Sequence, residues 1–367
     1  MTLPPARKNN FDALRLFAAC LIIYGHGMDL TGGVEPGLWG VPIGRIGLDL
    51  FFSISGYLVT TSWERDPRLL PFLARRCLRI FPGLAVCVLL TTFVLGPAVT
   101  RLPVSAYFAE PGTWAYLANI PLYAVQHLPW VFTDLRYNGA VNGSLWSLFP
   151  EFVCYLTIPL FARLRPGLRH AALVLTGLVS GGIGVMLFLA PADQQIVVYS
   201  VALHYLLVQV PFFLVGGVLG LLRNRPGLLG RADLCLLFLT MNYGISTWFG
   251  WWNLVVEWFT LPYMAISFGR LSLPVMNRAG SFGDLSFGLY LYAFPVQQLV
   301  LLLWPGSPAP ILLCLLLTLP LAWLSWRLVE RPCLALKPPT QSREPPAGWR
   351  PQDGRGRRLD GQPRPAG

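Results

Sequence analysis

Long apolar runs recur along the chain, separated by short polar connections. They fall near 11–28, 43–62, 80–99, 144–162, 171–190, 198–222, 233–250, 252–269, 283–303 and 309–328. Each approaches the roughly 20 residues that a transmembrane helix needs. The pattern predicts an all-α polytopic membrane bundle of about ten transmembrane helices. Only Gly250-Trp251 parts the seventh and eighth runs, which form either a hairpin or one broken helix. The moderately apolar stretch 113–126 re-enters the membrane or lies on its surface.

Composition agrees with the pattern. Of 367 residues, 54% are hydrophobic and 12% charged, where a soluble domain carries about 25% charged residues. The net charge of +11 would raise the question of nucleic acid, but the basic residues cluster at the ends of apolar runs and in the C-terminal stretch. They read as topology signals, and no nucleic-acid partner is expected. With the N-terminus inside, 24 of the 28 lysines and arginines fall on the cytoplasmic side, as the positive-inside rule requires. Both termini are therefore expected in the cytoplasm. Asp12 and Arg15 interrupt any signal-peptide core, so the first run reads as an uncleaved helix.

Two regions differ from the rest. Residues 100–142 form the longest external segment, with Tyr107, Phe108, Trp114, Tyr116 and Trp130; it reads either as a lid over an external site or as an interfacial aromatic belt. Residues 338–367, rich in Pro, Gly and Arg, read as a disordered cytoplasmic tail. The seven cysteines and four histidines show no metal-ligand spacing, and no metal is expected.

Charged groups inside a membrane are costly and mark function or pairing. Arg15 and His26 are eleven residues apart, so they share a face of the first helix about 16 Å apart along its axis; Asp12 is placed to pair with Arg15. The second run reads Gly47-Leu-Asp49-Leu-Phe-Phe-Ser-Ile-Ser-Gly56-Tyr57, combining a membrane carboxylate with small residues that let helices approach closely. Arg75, Arg76 and Arg79 precede Pro82. Either they grip a phosphate through planar guanidinium forks, or they only anchor topology. Glu151, followed one turn later by Tyr155, has no cation within reach in its own segment, so its partner lies on another helix or it is protonated.

These fragments, in this order, resemble the acyltransferase 3 family of bacterial polytopic membrane O-acyltransferases. The resemblance rests on Arg15 and His26, on 47–57, on Arg75-Arg-Cys-Leu-Arg-Ile-Phe-Pro82, and on Ser144-Leu-Trp-Ser-Leu-Phe-Pro-Glu151. Ser286-Phe-Gly-Leu-Tyr-Leu-Tyr292 and Glu330-Arg331-Pro332 complete it. It assigns residues 1–337 to an acyltransferase 3-like transmembrane domain of standalone form in the bacterial cytoplasmic (inner) membrane. One departure stands out: many members carry a histidine shortly after the tyrosine of the penultimate helix, where this chain has Ala293, with Gln297 and Gln298 as possible substitutes.

The resemblance implies transfer of an acyl group, most often acetyl, from cytoplasmic acyl-CoA to a hydroxyl of a glycan or glycolipid. His26 is then the expected base or acyl carrier, with Glu151 orienting it or sharing its proton. Arg15 is expected to stabilise the oxyanion or line the passage, and Asp49 completes the expected catalytic set. Arg75, Arg76 and Arg79 are expected to hold the CoA phosphates. His26 lies roughly 22 Å along the helix from Phe11, so the donor either threads a tunnel or passes its acyl group through a covalent intermediate. The competing class is a transporter or flippase of a lipid-linked sugar; no repeat relates the two halves of the chain.

Overall fold

A computed structural model describes residues 9–137, 139–249, 252–307 and 309–339. The tail expected from 338 onward lies, after Pro339, outside the described residues. The described residues form ten long helices, at the positions of the ten apolar runs. In chain order they are α1 (Phe11–Thr31), α2 (Ile43–Arg65), α3 (Leu69–Val99), α4 (Leu145–Phe161) and α5 (Pro166–Leu189). Then follow α6 (Leu203–Leu221), α7 (Ala232–Phe249), α8 (Trp252–Arg270), α9 (Leu285–Leu303) and α10 (Pro310–Ala335). Seven of them, α1, α2, α3, α5, α6, α9 and α10, are long and apolar enough to cross a membrane; α4 is a shorter apolar helix.

The bundle has a centre and a rim. About 72% of the most apolar stretch of α6 and of α9 is buried, against 28% for α5 and 22% for α10. Leu175, Met186, Leu312 and Leu316 accordingly point outward, as side chains that face lipid do. Helix α2 packs on α1, α6 and α8, while α9 packs on α1, α3 and α10. The small residues expected to allow close approach do so. A Cβ on Gly56 would run into the carbonyl of Phe213, and one on Gly216 into the carbonyl of Ser53. Only glycine lets α2 and α6 approach so closely.

Helices α7 and α8 pack against each other, with Asn242 Nδ2 donating to Thr260 Oγ1 at 2.7 Å. The seventh and eighth runs are thus a hairpin and not one broken helix. Two expectations are corrected. Helix α3 begins at Leu69, not near 80, because its arginine-rich first turns find carboxylate partners and can stay helical. The start of the sixth run is a β-hairpin, in which Val197-Val198 pairs antiparallel with Val201-Ala202. Residues 100–142 are tied to α3 and α9 within their spans: Tyr107 Oη donates to the Thr92 carbonyl at 2.8 Å, Gln298 Nε2 to the Ala140 carbonyl at 2.7 Å, and Asn142 Nδ2 to the Leu291 carbonyl at 2.9 Å.

Candidate active site

Two cavities open at opposite ends of the same helices, and their linings share no residue. The first, of about 390 Å³, is lined by Arg15 of α1, Ser55 and Ser62 of α2, Arg75, Arg76 and Arg79 of α3, and Tyr155 of α4. Asp284, just before α9, also lines it. The second, of about 670 Å³, is lined by His26 and Asp29 of α1, Arg45 of α2, Gln209 of α6, Asn253 of α8 and Tyr290 of α9. Arg15 and His26 share the expected face of α1, yet each serves a different cavity.

The arginines of the first cavity differ in what neutralises them. Arg75 Nη1 donates to Asp66 Oδ2 at 2.8 Å. Hydrogen bonds from Arg68, then from Arg75, hold the Asp66 carboxyl well below the ordinary carboxylate range. Arg15 and Arg79 converge on Asp284 Oδ2 at 2.9 and 2.7 Å, so Arg15 is paired with a carboxylate just before α9, far away in the chain. Arg79 also lies 3.5 Å from Glu330 Oε2. A π-turn over Trp326–Glu330 interrupts α10 there, and such insertions re-aim side chains at functional sites. Arg76 is the contrast. It reaches the Ser62 hydroxyl at 3.5 Å and lies 5.8 Å from the rings of Phe72 and Tyr155, with no carboxylate pairing it among the described residues. A guanidinium in a cavity without a carboxylate partner can take an anionic ligand.

Glu151 belongs to the level between the cavities. Its Oε1 accepts from Ser55 Oγ at 2.7 Å and from Tyr155 Oη at 2.5 Å, both of which line the arginine cavity. It is not brought to His26, which corrects the expected orienting contact. One turn earlier on the same strip of chain, Ser147 Oγ lies 2.5 Å from Tyr290 Oη, a residue of the histidine cavity. The polar edge of this segment therefore runs from one cavity to the other.

In the second cavity His26 is half-buried, with its ring edge-on to Phe294 at 5.3 Å. Among the described residues nothing hydrogen-bonds its ring nitrogens, leaving the imidazole to a ligand. Glu35 lines the same wall and accepts from the Gly44 N–H at 2.6 Å; burial pushes its carboxyl up, and that bond partly offsets the shift. No residue of 100–142 lines this cavity. The lid-like element is instead the β-hairpin of Gly37-Leu38 and Val41-Pro42.

Beside this cavity Asp49 is fully buried, with Arg45 Nε 3.7 Å from its Oδ2. Glu257 of α8, also fully buried, lies within electrostatic reach of Asp49 and Arg45, and its carboxyl oxygens accept no hydrogen bond among the described residues. Sequence reasoning missed Glu257. Its signal was present, a carboxylate in an apolar run with no cation on its own helix within reach. Asp284, Asp66 and the partnership of Glu330 were missed as well. Gln297 and Gln298 donate to the carbonyls of Ile23 and Ala140 and line neither of these two cavities. Among the described residues no group of three or more His, Cys, Asp or Glu side chains could hold a metal ion.

Comparison with known proteins converges on one family. Residues 8–327 match the family described as an acyltransferase domain. An O-acetyl transferase of Shigella phage Sf6 is 29% identical over 345 residues, covering 92% of this chain and 99% of the relative. Nodulation protein 10 of Rhizobium leguminosarum bv. viciae is 28% identical, covering 90% of this chain and 94% of the relative. O-acetyltransferase OatA of Staphylococcus aureus is 26% identical over 89% of this chain, which spans 57% of that longer protein. No solved structure matches.

Proposed function

Because the chain belongs to the acyltransferase 3 family, we propose that it moves an acyl group, most simply acetyl, from acyl-CoA in the arginine cavity to a carbohydrate hydroxyl in the histidine cavity. The observation that carries this reading is the pair of cavities at opposite ends of α1, α2 and their neighbours. One holds Arg76 without a carboxylate partner; the other holds His26 without a hydrogen-bond partner among the described residues.

In this reading Arg76, with Arg79 and Arg15 beside it, takes the phosphates of CoA. Arg75 keeps the helix end in place through Asp66. His26 removes the proton of the acceptor hydroxyl as its oxygen bonds to the acyl carbon. The C–S bond of the thioester breaks and the CoA thiolate takes up a proton. Glu151, Tyr155, Ser147 and Tyr290 line the way between the two levels with polar atoms, and Asp49 holds Arg45 at the wall of the acceptor cavity.

We read all ten helices as crossings, with both termini in the cytoplasm and the protein in the bacterial inner membrane. The support is the placement of 24 of 28 lysines and arginines on one side. The arginine cavity then faces acyl-CoA, and the histidine cavity faces outward. The test uses the full chain in lipid nanodiscs with acetyl-labelled acetyl-CoA and the host's surface-glycan fraction. Label should enter the glycan with matching release of CoA thiol. The absence of both label transfer and thiol release would contradict the assignment.

A further inference from the structure

The hairpin over the histidine cavity turns through Trp39 and Gly40, with φ of 57° and 77°. Both values lie in the left-handed region that two-residue hairpin turns require, where Asn-Gly, Asp-Gly and Gly-Gly are the favoured pairs. A tryptophan at the first position is unfavourable for the backbone. Such strain persists only where the surroundings enforce it, and it concentrates at ligand sites.

A second hairpin in the chain serves as an internal comparison. Tyr199 and Ser200 also have positive φ, 50° and 66°, but their side chains are occupied. Tyr199 Oη donates to the Pro121 carbonyl at 2.9 Å, and its ring lies 4.8 Å from Phe149 and 5.2 Å from Tyr123. Ser200 Oγ donates to the Ala124 carbonyl at 2.5 Å. Packing accounts for that pair. Trp39 has no such account: among the described residues its indole makes no ring contact and no hydrogen bond. It lines the histidine cavity, while Asn253 Nδ2 holds its carbonyl at 2.9 Å.

The wall of the same cavity holds polar atoms that lack partners. Gln209 Oε1 and Asn253 Oδ1 accept no hydrogen bond among the described residues, although these side chains belong to residues only 3% and 2% exposed. Buried acceptors left empty are costly, and hydroxyl donors from a ligand would fill them. A sugar ring offers both complements, since its C–H face covers an indole and its hydroxyls donate to amide oxygens.

We propose that Trp39 is the stacking platform for a sugar ring of the acyl acceptor, with Gln209 and Asn253 receiving that ring's hydroxyls. The inference rests on the acceptor occupying this cavity. It assigns specificity to the hairpin, apart from the chemistry at His26.

The experiment measures acyl transfer by full-length protein in nanodiscs at varied concentrations of the host's surface-glycan fraction. Wild type comes first: if it transfers no label, the acceptor reading itself fails, before any variant is compared. Given transfer, W39N places a preferred residue in the turn, so its melting temperature should hold or rise. Its KM for the glycan fraction should rise about tenfold or more, the scale for losing a buried aromatic anchor. Its KM for acetyl-CoA should not move, and W39F should keep the glycan KM within about threefold of wild type. W39L retains apolar bulk without a ring, and its glycan KM should rise likewise should the asparagine variant fold poorly. A wild-type glycan KM in W39L would overturn the proposal, and so would a donor KM that rises in step with the acceptor KM.

Discussion

Arg79 Nη2 donates to Asp284 Oδ2 at 2.7 Å, joining residues 205 positions apart in the chain. Helix α3 is thereby fastened to the start of α9, and Arg15 of α1 arrives at the same oxygen. D284N leaves two mostly buried guanidiniums without that charge. Breaking such a pair from one side costs roughly 3–5 kcal/mol. A marked drop in melting temperature is expected, with Arg79 still near Glu330. Wild-type stability of D284N would show that the junction is not structural.

Arg75 and Arg76 are adjacent but should fail differently. R76A removes a guanidinium free for phosphate, and charge-assisted hydrogen bonds contribute about 1.5–3 kcal/mol each. The KM for acetyl-CoA should rise roughly tenfold to a hundredfold, with stability retained. R76K keeps the charge but not the planar fork, so it should recover only part of the affinity. R75A instead leaves the buried Asp66 to Arg68 alone, and its main effect should be on melting. Equal donor KM in wild type and R76A would remove Arg76 from the phosphate site.

These residues also show what could be read in the sequence. The ten helical segments were legible because each carries a continuous apolar run that must face either the bundle or lipid. The start of α3 was not, because Arg75 and Arg79 look like helix-ending charges until Asp66 and Asp284, distant or outside the run, are seen to neutralise them. Helical phase correctly put Arg15 and His26 on one face. Phase says nothing about which neighbouring side chain reaches a given height, so Glu151 was expected at His26 and sits with Ser55 and Tyr155. The histidine cavity arises from how α2, α6 and α8 pack with their neighbours, and Glu257 acquires meaning only beside Asp49.

Asp49, Glu257 and Arg45 set two carboxyl groups against one cation. D49N or E257Q alone still leaves one carboxyl group for Arg45, so each should cost roughly 1 kcal/mol or less. The double variant removes both carboxyl groups whose charge reaches Arg45 and should cost more than the sum of the singles, by the coupling expected of groups that share a partner. Melting temperatures of the three variants test this, and simple additivity would dissolve the cluster.

Arg65 and Lys337 both line the arginine cavity, whereas Glu35 lines the other. Reporter fusions after Arg65 and Lys337 should read cytoplasmic, and a fusion after Glu35 external. Fusions at Arg278 and Gly306, which flank α9, should also read on opposite sides. Agreement between that last pair would contradict α9 as a crossing and, with it, the ten-span topology.

The most direct test of the account is the rate of acyl transfer by H26A and H26Q, with acetyl-CoA binding measured on the same samples. His26 stands in the proposed acceptor cavity with both ring nitrogens free of protein hydrogen bonds among the described residues, while the arginines stand in the other. Transfer should fall by about 10² to 10⁴, the range for losing general acid–base catalysis, in both variants. Affinity for acetyl-CoA should stay at the wild-type value. Near-wild-type transfer by H26Q, or a loss of donor affinity matching the loss of rate, would contradict it.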